Sequence, residues 1–108
     1  MPDLDPVLEY IRAQVASQNF RITLHAHQEM VEEGFTLDHV LEAIASAQIL
    51  ESYPEHRRGA CCLLHGLTQA GRHVHVVCTT TAPVLIMITV YEPQPPKWIT
   101  PTQRKVAP

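Results

Sequence analysis

The spacing of apolar residues along this chain changes once, near residue 47, and this change limits the folds available to it. Before this point, apolar residues recur every three or four positions, as on one face of an amphipathic helix. Thr23 and Thr36 are suited to cap helix N-termini, and Gly34 is suited to the left-handed residue that ends a helix. The pattern predicts three helices, over about residues 3–17, 23–33 and 37–46.

After residue 47 the apolar period shortens to two, or the apolar residues run continuously. Both patterns are typical of strands. Short connections that contain proline or glycine separate the runs and favour antiparallel neighbours. We expect four strands, over about residues 48–53, 60–67, 72–79 and 84–91. Helices followed by strands predict an α+β domain, with the helices packed on one face of a four-stranded antiparallel sheet.

The length of 108 residues indicates one domain. We expect residues 1–98 to form it, with residues 1–18 as an N-terminal helix, and residues 99–108 to form an extended tail beside an anchoring Trp98. No apolar run reaches the roughly 18 residues of a membrane span, and the acidic start does not resemble a signal peptide. A cytoplasmic protein without a membrane partner is therefore expected. The three cysteines form no disulfide framework and are predicted to be buried.

Charge is distributed unevenly along the sequence. Residues 1–55 carry a formal charge of −8 and residues 56–108 a formal charge of +5, which together give the net charge of −3. Such asymmetry bears on partners rather than on the fold. It can arise from solvated helix faces alone, but it also fits a second half that faces an anionic molecule.

Histidine is the residue type most relevant to chemistry, with seven in the chain. His25 falls in the first turn of the second predicted helix, where the helix dipole favours the neutral ring that can accept a proton. His73 and His75 share one face of a predicted strand. If neighbouring strands align, His65, His75, Thr89 and Tyr91 form a polar patch on an otherwise apolar sheet, with the nearby arginines at its rim.

Two chemistries fit such a patch. A His-x-His pair such as His73 and His75, with a third histidine, occurs in zinc sites, but no supporting carboxylate or cysteine stands at a recognisable spacing. The other chemistry is metal-free cleavage of RNA. A base removes a proton from a 2′-hydroxyl, cations stabilise the charged phosphorane, and an acid protonates the leaving 5′-oxygen.

Several short motifs between Ile22 and Trp98 resemble those of a small bacterial family, domain of unknown function 4258. The motifs in this chain are His25-Ala26 with Met30, Glu32 and Gly34; Leu50-Glu51-Ser52-Tyr53-Pro54; Gly71-Arg72-His73-Val74-His75-Val76-Val77; Ile88-Thr89-Val90-Tyr91-Glu92-Pro93; and Lys97-Trp98. The resemblance implies a RelE-like fold and kinship with toxin ribonucleases of toxin–antitoxin pairs, often encoded beside a zinc-finger antitoxin. Glu29 and Glu33 stand where the family has arginines, which puts RNA contact by that helix in question.

The leading hypothesis is a RelE-like endoribonuclease toxin, or a descendant of one, that uses no metal or other cofactor. It assigns acid and base roles to His25 and His75 and an orienting or donating role to Tyr91, and requires all three to converge on one concave surface. Phosphate would be held by a basic set, Arg57, Arg58, Arg72 and Lys97. The expected partners are RNA, a cognate antitoxin and a second copy of the chain. Two alternatives remain: a non-catalytic module that docks an acidic protein, and a metal-dependent enzyme built on His73 and His75.

Overall fold

Three helices and seven strands make up the computed structural model, which describes residues 5–105. The helices are α1 (Pro6–Ala16), α2 (Leu24–Glu33) and α3 (Leu37–Ala45). The strands are β1 (Phe20–Ile22), β2 (Gln48–Tyr53), β3 (Cys61–Leu67), β4 (His73–Thr79), β5 (Leu85–Tyr91), β6 (Trp98–Thr100) and β7 (Gln103–Arg104). The predicted helices and the four predicted strands are all present with nearly the predicted bounds. The predicted start of the first helix, at residues 3 and 4, lies outside the described residues.

Local side chains define the helix ends. The Asp5 carboxylate accepts a hydrogen bond from the Val7 amide at 2.9 Å and so caps α1. The Thr23 hydroxyl accepts one from the Ala26 amide at 3.1 Å and caps α2, which ends at Gly34 with a left-handed φ of 72°. Thr36 caps α3. The caps and the glycine therefore lie where the sequence predicts them, because each supplies a partner or a conformation that a helix end needs.

The sheet differs from the predicted four antiparallel strands. It has five strands in the order β1-β5-β4-β3-β2, and β1 runs parallel to β5, so the sheet is mixed. Strands β2 to β5 form the antiparallel part. The prediction was wrong about β1 because Phe20–Ile22 has only three residues, too few to show a period. A separate two-stranded sheet pairs β6 with β7.

The helices cover one face of the five-stranded sheet and form the core with it. Buried side chains from α2 and α3, such as Met30, Val40 and Ile44, pack with Leu64 and Val76 of the sheet. Gly66 of β3 lies so close to α3 that a β-carbon there would come within 1.8 Å of the backbone oxygen of Ala43. The absence of a side chain at residue 66 therefore allows α3 to sit directly on the sheet.

The three cysteines are reduced and buried, as predicted. Cys62 and Cys78 face the helices from directly opposite positions on β3 and β4. Between residues 5 and 105, no helix is long and apolar enough to cross a membrane.

Candidate functional site

The polar side chains expected on the sheet do share a row. His65 of β3 pairs with His75 of β4, and His75 pairs with Tyr91 of β5, so the three lie side by side across the sheet. Alternation along a strand places them on the face that the helices do not cover. The predicted alignment of these strands is therefore confirmed.

His75 is fully buried in this row, and both of its ring nitrogens are hydrogen-bonded within the chain. Its Nε2 lies 2.6 Å from the backbone oxygen of Pro101, which can only accept, so Nε2 carries the proton. Its Nδ1 then accepts from the Tyr91 hydroxyl at 3.1 Å. Burial lowers the pKa of His75 to about 4, although the bond to Pro101 opposes the shift. In this conformation His75 presents no nitrogen to a substrate.

The β6–β7 hairpin covers His75 and ties itself to the sheet through polar contacts. The indole N–H of Trp98 donates to the Tyr91 hydroxyl at 3.2 Å, which continues the chain of bonds to His75. Arg104 of β7 binds the Glu51 carboxylate of β2 with two nitrogens, at 2.7 and 3.0 Å, and stacks on the Trp98 ring. The pKa of Glu51 is lowered, mainly by this arginine. We call six residues the hairpin latch: Glu51, His75, Tyr91, Trp98, Pro101 and Arg104.

His65 and His73 form a second polar pair on the same face. His65 Nε2 lies 2.8 Å from His73 Nδ1, and His65 Nδ1 lies 3.2 Å from the Gln48 amide nitrogen. Burial lowers the pKa of His65, and the neighbouring His73 adds to the effect. The His73–His75 pair does not converge as metal ligands would, because His73 is bonded to His65 and His75 to Tyr91 and Pro101. Across residues 5–105, no three His, Cys, Asp or Glu side chains are grouped to hold a metal ion.

His25 belongs to a different place, an open groove between the start of α2 and the loop that joins β2 to β3. The groove has a volume of about 420 Å³. Its lining combines cationic or titratable side chains with a small apolar part, and consists of Thr23, Leu24, His25, His56, Arg57, Arg58 and Ile88. Neither His75 nor Tyr91 lines it. The expected convergence of His25 with these two residues is therefore not seen, because α2 packs on the opposite face of the sheet from His75 and Tyr91.

A carboxylate orients His25 at the edge of this groove. Glu29 lies one helical turn after His25, and its Oε1 is 3.3 Å from the His25 Nε2. The same Oε1 accepts a hydrogen bond from the Val90 amide of β5 at 3.0 Å. The imidazole is 66% exposed, whereas the Glu29 side chain is only 21% exposed. Burial raises the pKa of Glu29, although the Val90 amide and the charge of His25 oppose the shift.

The nearby carboxylate favours the neutral His25 tautomer that carries its proton on Nε2. In that tautomer Nδ1 retains a lone pair and can accept a proton. The carboxylate also stabilises the imidazolium that then forms, as in serine-protease triads. Glu29, which the resemblance marks as a departure, thus lies against the His25 ring.

The loop side of the groove contributes His56, which sequence reasoning missed. The His56 Nδ1 accepts the Arg58 amide hydrogen at 3.1 Å, so Nε2 carries the proton of the neutral ring and is the donor toward a ligand. Gly59, with a φ of 95°, ends the tight turn that holds Arg57 and Arg58 out at the surface. The run His-Arg-Arg was visible in the sequence, but its 31-residue separation from His25 hid their proximity.

The remaining predicted phosphate ligands lie elsewhere. Arg72 donates to the backbone oxygen of Glu33 at 2.9 Å, pairs with Glu92 at 3.1 Å and stacks on Phe35. Lys97 lies 5.8 Å from the centre of the Tyr91 ring, beside the hairpin latch. The structure brings together His25, Arg57 and Arg58, but not Arg72 or Lys97.

A family model for a domain of unknown function, DUF4258, matches residues 22–92 of the chain. The chain belongs to the DUF4258 family. No curated protein and no solved structure matches it.

The DUF4258 match covers both polar regions of the molecule. His25, the 56–58 loop, His75 and Tyr91 all fall inside the matched residues, whereas the β6–β7 hairpin follows them. The motifs that carry the resemblance therefore lie in two separate parts of the structure. Those containing Glu51, His75 and Tyr91 build the hairpin latch, and the one containing His25 opens the groove.

Proposed function

We propose that this DUF4258 protein is a metal-independent endoribonuclease whose site is the basic groove. The observation that carries the proposal is the composition of that groove. A histidine with an available Nδ1 and a supporting carboxylate faces a second histidine and two exposed arginines. A general base and several cations around one site are the groups that cleavage of RNA by its own 2′-hydroxyl requires.

In the proposed reaction, His25 Nδ1 removes the proton from a 2′-hydroxyl, and Glu29 stabilises the resulting imidazolium. The 2′-oxygen attacks the adjacent phosphorus, and the bond from phosphorus to the 5′-oxygen breaks. Arg57, Arg58 and the His56 Nε2–H stabilise the charge on the phosphorane oxygens. The leaving 5′-oxygen takes a proton from a water molecule in the open groove, and the His25 imidazolium gives its proton to the hydroxide that remains. The products are a 2′,3′-cyclic phosphate and a 5′-hydroxyl.

The relation to RelE-like toxins belongs to the same proposal. It rests on the motif resemblance and on the arrangement of helices over one face of a largely antiparallel sheet. It implies a cognate antitoxin that masks the groove. The charge of the groove is suited to an acidic segment of such a protein as well as to RNA.

A cleavage assay with matched histidine variants tests the proposal. Single-stranded RNA is incubated with the purified chain in the presence of a chelator, and the product ends are analysed for 2′,3′-cyclic phosphate. His25→Ala is expected to lower the rate by roughly 10²–10⁴, the usual contribution of a general base. His27→Ala is the control, because His27 is exposed on the same helix two residues later and does not line the groove.

Two outcomes would contradict the proposal. One is a folded chain that leaves every RNA tested intact, and the other is a His27→Ala variant whose rate falls as much as that of His25→Ala. Activity that chelation removes and zinc restores would instead support the metal alternative.

A further inference from the structure

The groove continues beyond the proposed cleavage site, and we propose that its extension is a second phosphate subsite formed by Arg21 and Arg58. This proposal rests on the proposed function and names its substrate as single-stranded RNA of at least three nucleotides. One phosphodiester would lie at His25 and Arg57, and a neighbouring phosphate would lie at Arg21.

A second depression of about 340 Å³ adjoins the first. The two depressions share Thr23, Leu24 and Arg58 in their linings, so they lie side by side on one surface, and we call them together the channel. The residues that line only the extension are Arg21, Ile22 and Ile86. Arg58 stands between the two halves and can contact a ligand in either one.

The position of Arg21 follows from the strand that sequence reasoning missed. Arg21 is the middle residue of β1 and pairs with Ile86 of the parallel strand β5. Its neighbours Phe20 and Ile22 are partly buried against the core, so alternation along the strand leaves Arg21 exposed. The pairing of β1 with β5 thus delivers a cation from the acidic first half of the chain to the groove.

The charge and shape of the channel favour an extended anionic chain. The residues that line its two halves include three arginines and no carboxylate, and the one carboxylate placed at its edge, Glu29, lies against the His25 ring. A guanidinium binds phosphate through two parallel hydrogen bonds, which suits successive phosphates of one strand. Leu24, 72% exposed, lies in both halves beside Ile86 and Ile88 and provides apolar surface for ribose and base. An unstacked single strand exposes its bases to such an apolar surface, whereas a duplex presents mainly its backbone.

Short RNA analogues that cannot be cleaved, with the attacking 2′-hydroxyl replaced by a methoxy group, test this subsite. Binding is measured for a dinucleotide with one phosphodiester and for the same dinucleotide with an added terminal phosphate, at the 5′ end or at the 3′ end. We expect one of the two additions to tighten binding about tenfold, the effect of one charge-assisted contact of about 1.4 kcal/mol.

Two arginine variants separate the subsites. Arg21→Ala is expected to abolish the gain from the added phosphate and to leave the affinity for the plain dinucleotide within about twofold. Arg57→Ala is expected to weaken binding of the dinucleotide and to preserve the gain. A gain that survives in Arg21→Ala would overturn the second subsite and leave the proposed cleavage site standing. Failure of the unaltered chain to bind any of these RNAs at low salt would overturn the proposed function itself.

Discussion

At the scale of single residues, the contact between His25 and Glu29 matters most. Glu29 stands at a position where the family resemblance implies an arginine. In the structure, its carboxylate is fixed by the Val90 amide and lies against the His25 ring. A carboxylate that is held in this way can both orient an imidazole and stabilise its protonated form.

Glu29→Gln should therefore lower the rate of RNA cleavage. The amide keeps the size of the side chain but lacks the negative charge that stabilises the imidazolium in the transition state. We expect the rate to fall about 5- to 10-fold, while binding of the non-cleavable RNA stays unchanged. Glu32→Gln, at an exposed position on the same helix, is the control. An unchanged rate in Glu29→Gln, or an equal loss in Glu32→Gln, would show that the Glu29 carboxylate does not act through His25.

The candidate site could be predicted only in part from the sequence. The cap at Thr23 predicted that His25 lies in the first turn of a helix, and their charge made Arg57 and Arg58 candidate phosphate ligands. These three residues share the groove. His75 was given a catalytic role because sequence cannot show that the hairpin buries it. His56 was missed because 31 residues separate it from His25. Arg21 was missed because its position beside the groove depends on the pairing of β1 with β5, which local patterns do not encode.

At the scale of secondary structure elements, the β6–β7 hairpin is the least expected part of the fold. The sequence predicts an extended C-terminal tail anchored by Trp98, because the segment contains Pro95, Pro96 and Pro101. Trp98 is indeed buried, but the segment turns back through β7, and Arg104 reaches Glu51. Helices and strands of six or more residues were predictable from their period, whereas strands of two or three residues carry too few positions to show one.

The hairpin latch predicts how stability depends on pH. His75 has a pKa of about 4 in the folded chain and an ordinary value of 6.5 when unfolded. As pH falls from 6.5 towards 4, the unfolded chain binds a proton that the folded chain does not, so stability is lost in this range. The loss from this group approaches about 3 kcal/mol at pH 4.

Urea unfolding between pH 7 and pH 4 measures this loss. His75→Gln lacks the titrating ring and should lose less stability over the range than the unaltered chain does, whatever its stability at pH 7. His27→Gln, at an exposed position, should not change the dependence. Equal pH dependence in His75→Gln and in the unaltered chain would rule out the buried neutral histidine described for the latch.

At the scale of the whole molecule, the fold reorganises the charge distribution that the sequence shows. The division into a −8 half and a +5 half suggested that the second half faces an anion. The groove and the adjoining depression instead combine Arg21 and His25 of the first half with His56, Arg57 and Arg58 of the second. Other cations of the second half serve internal contacts, such as Arg72 with Glu92 and Arg104 with Glu51.

The most direct test of the account is the salt dependence of single-stranded RNA binding, measured with the non-cleavable analogue of the same length for each variant. Phosphate contacts release counterions, so the logarithm of the binding constant should fall linearly with the logarithm of salt concentration. Arg57→Ala should reduce this slope by about one unit, whereas Lys97→Ala, which removes a cation outside the groove, should leave it unchanged. Binding that is indifferent to salt, or a slope that falls equally in Lys97→Ala, would contradict the claim that this groove is the RNA site.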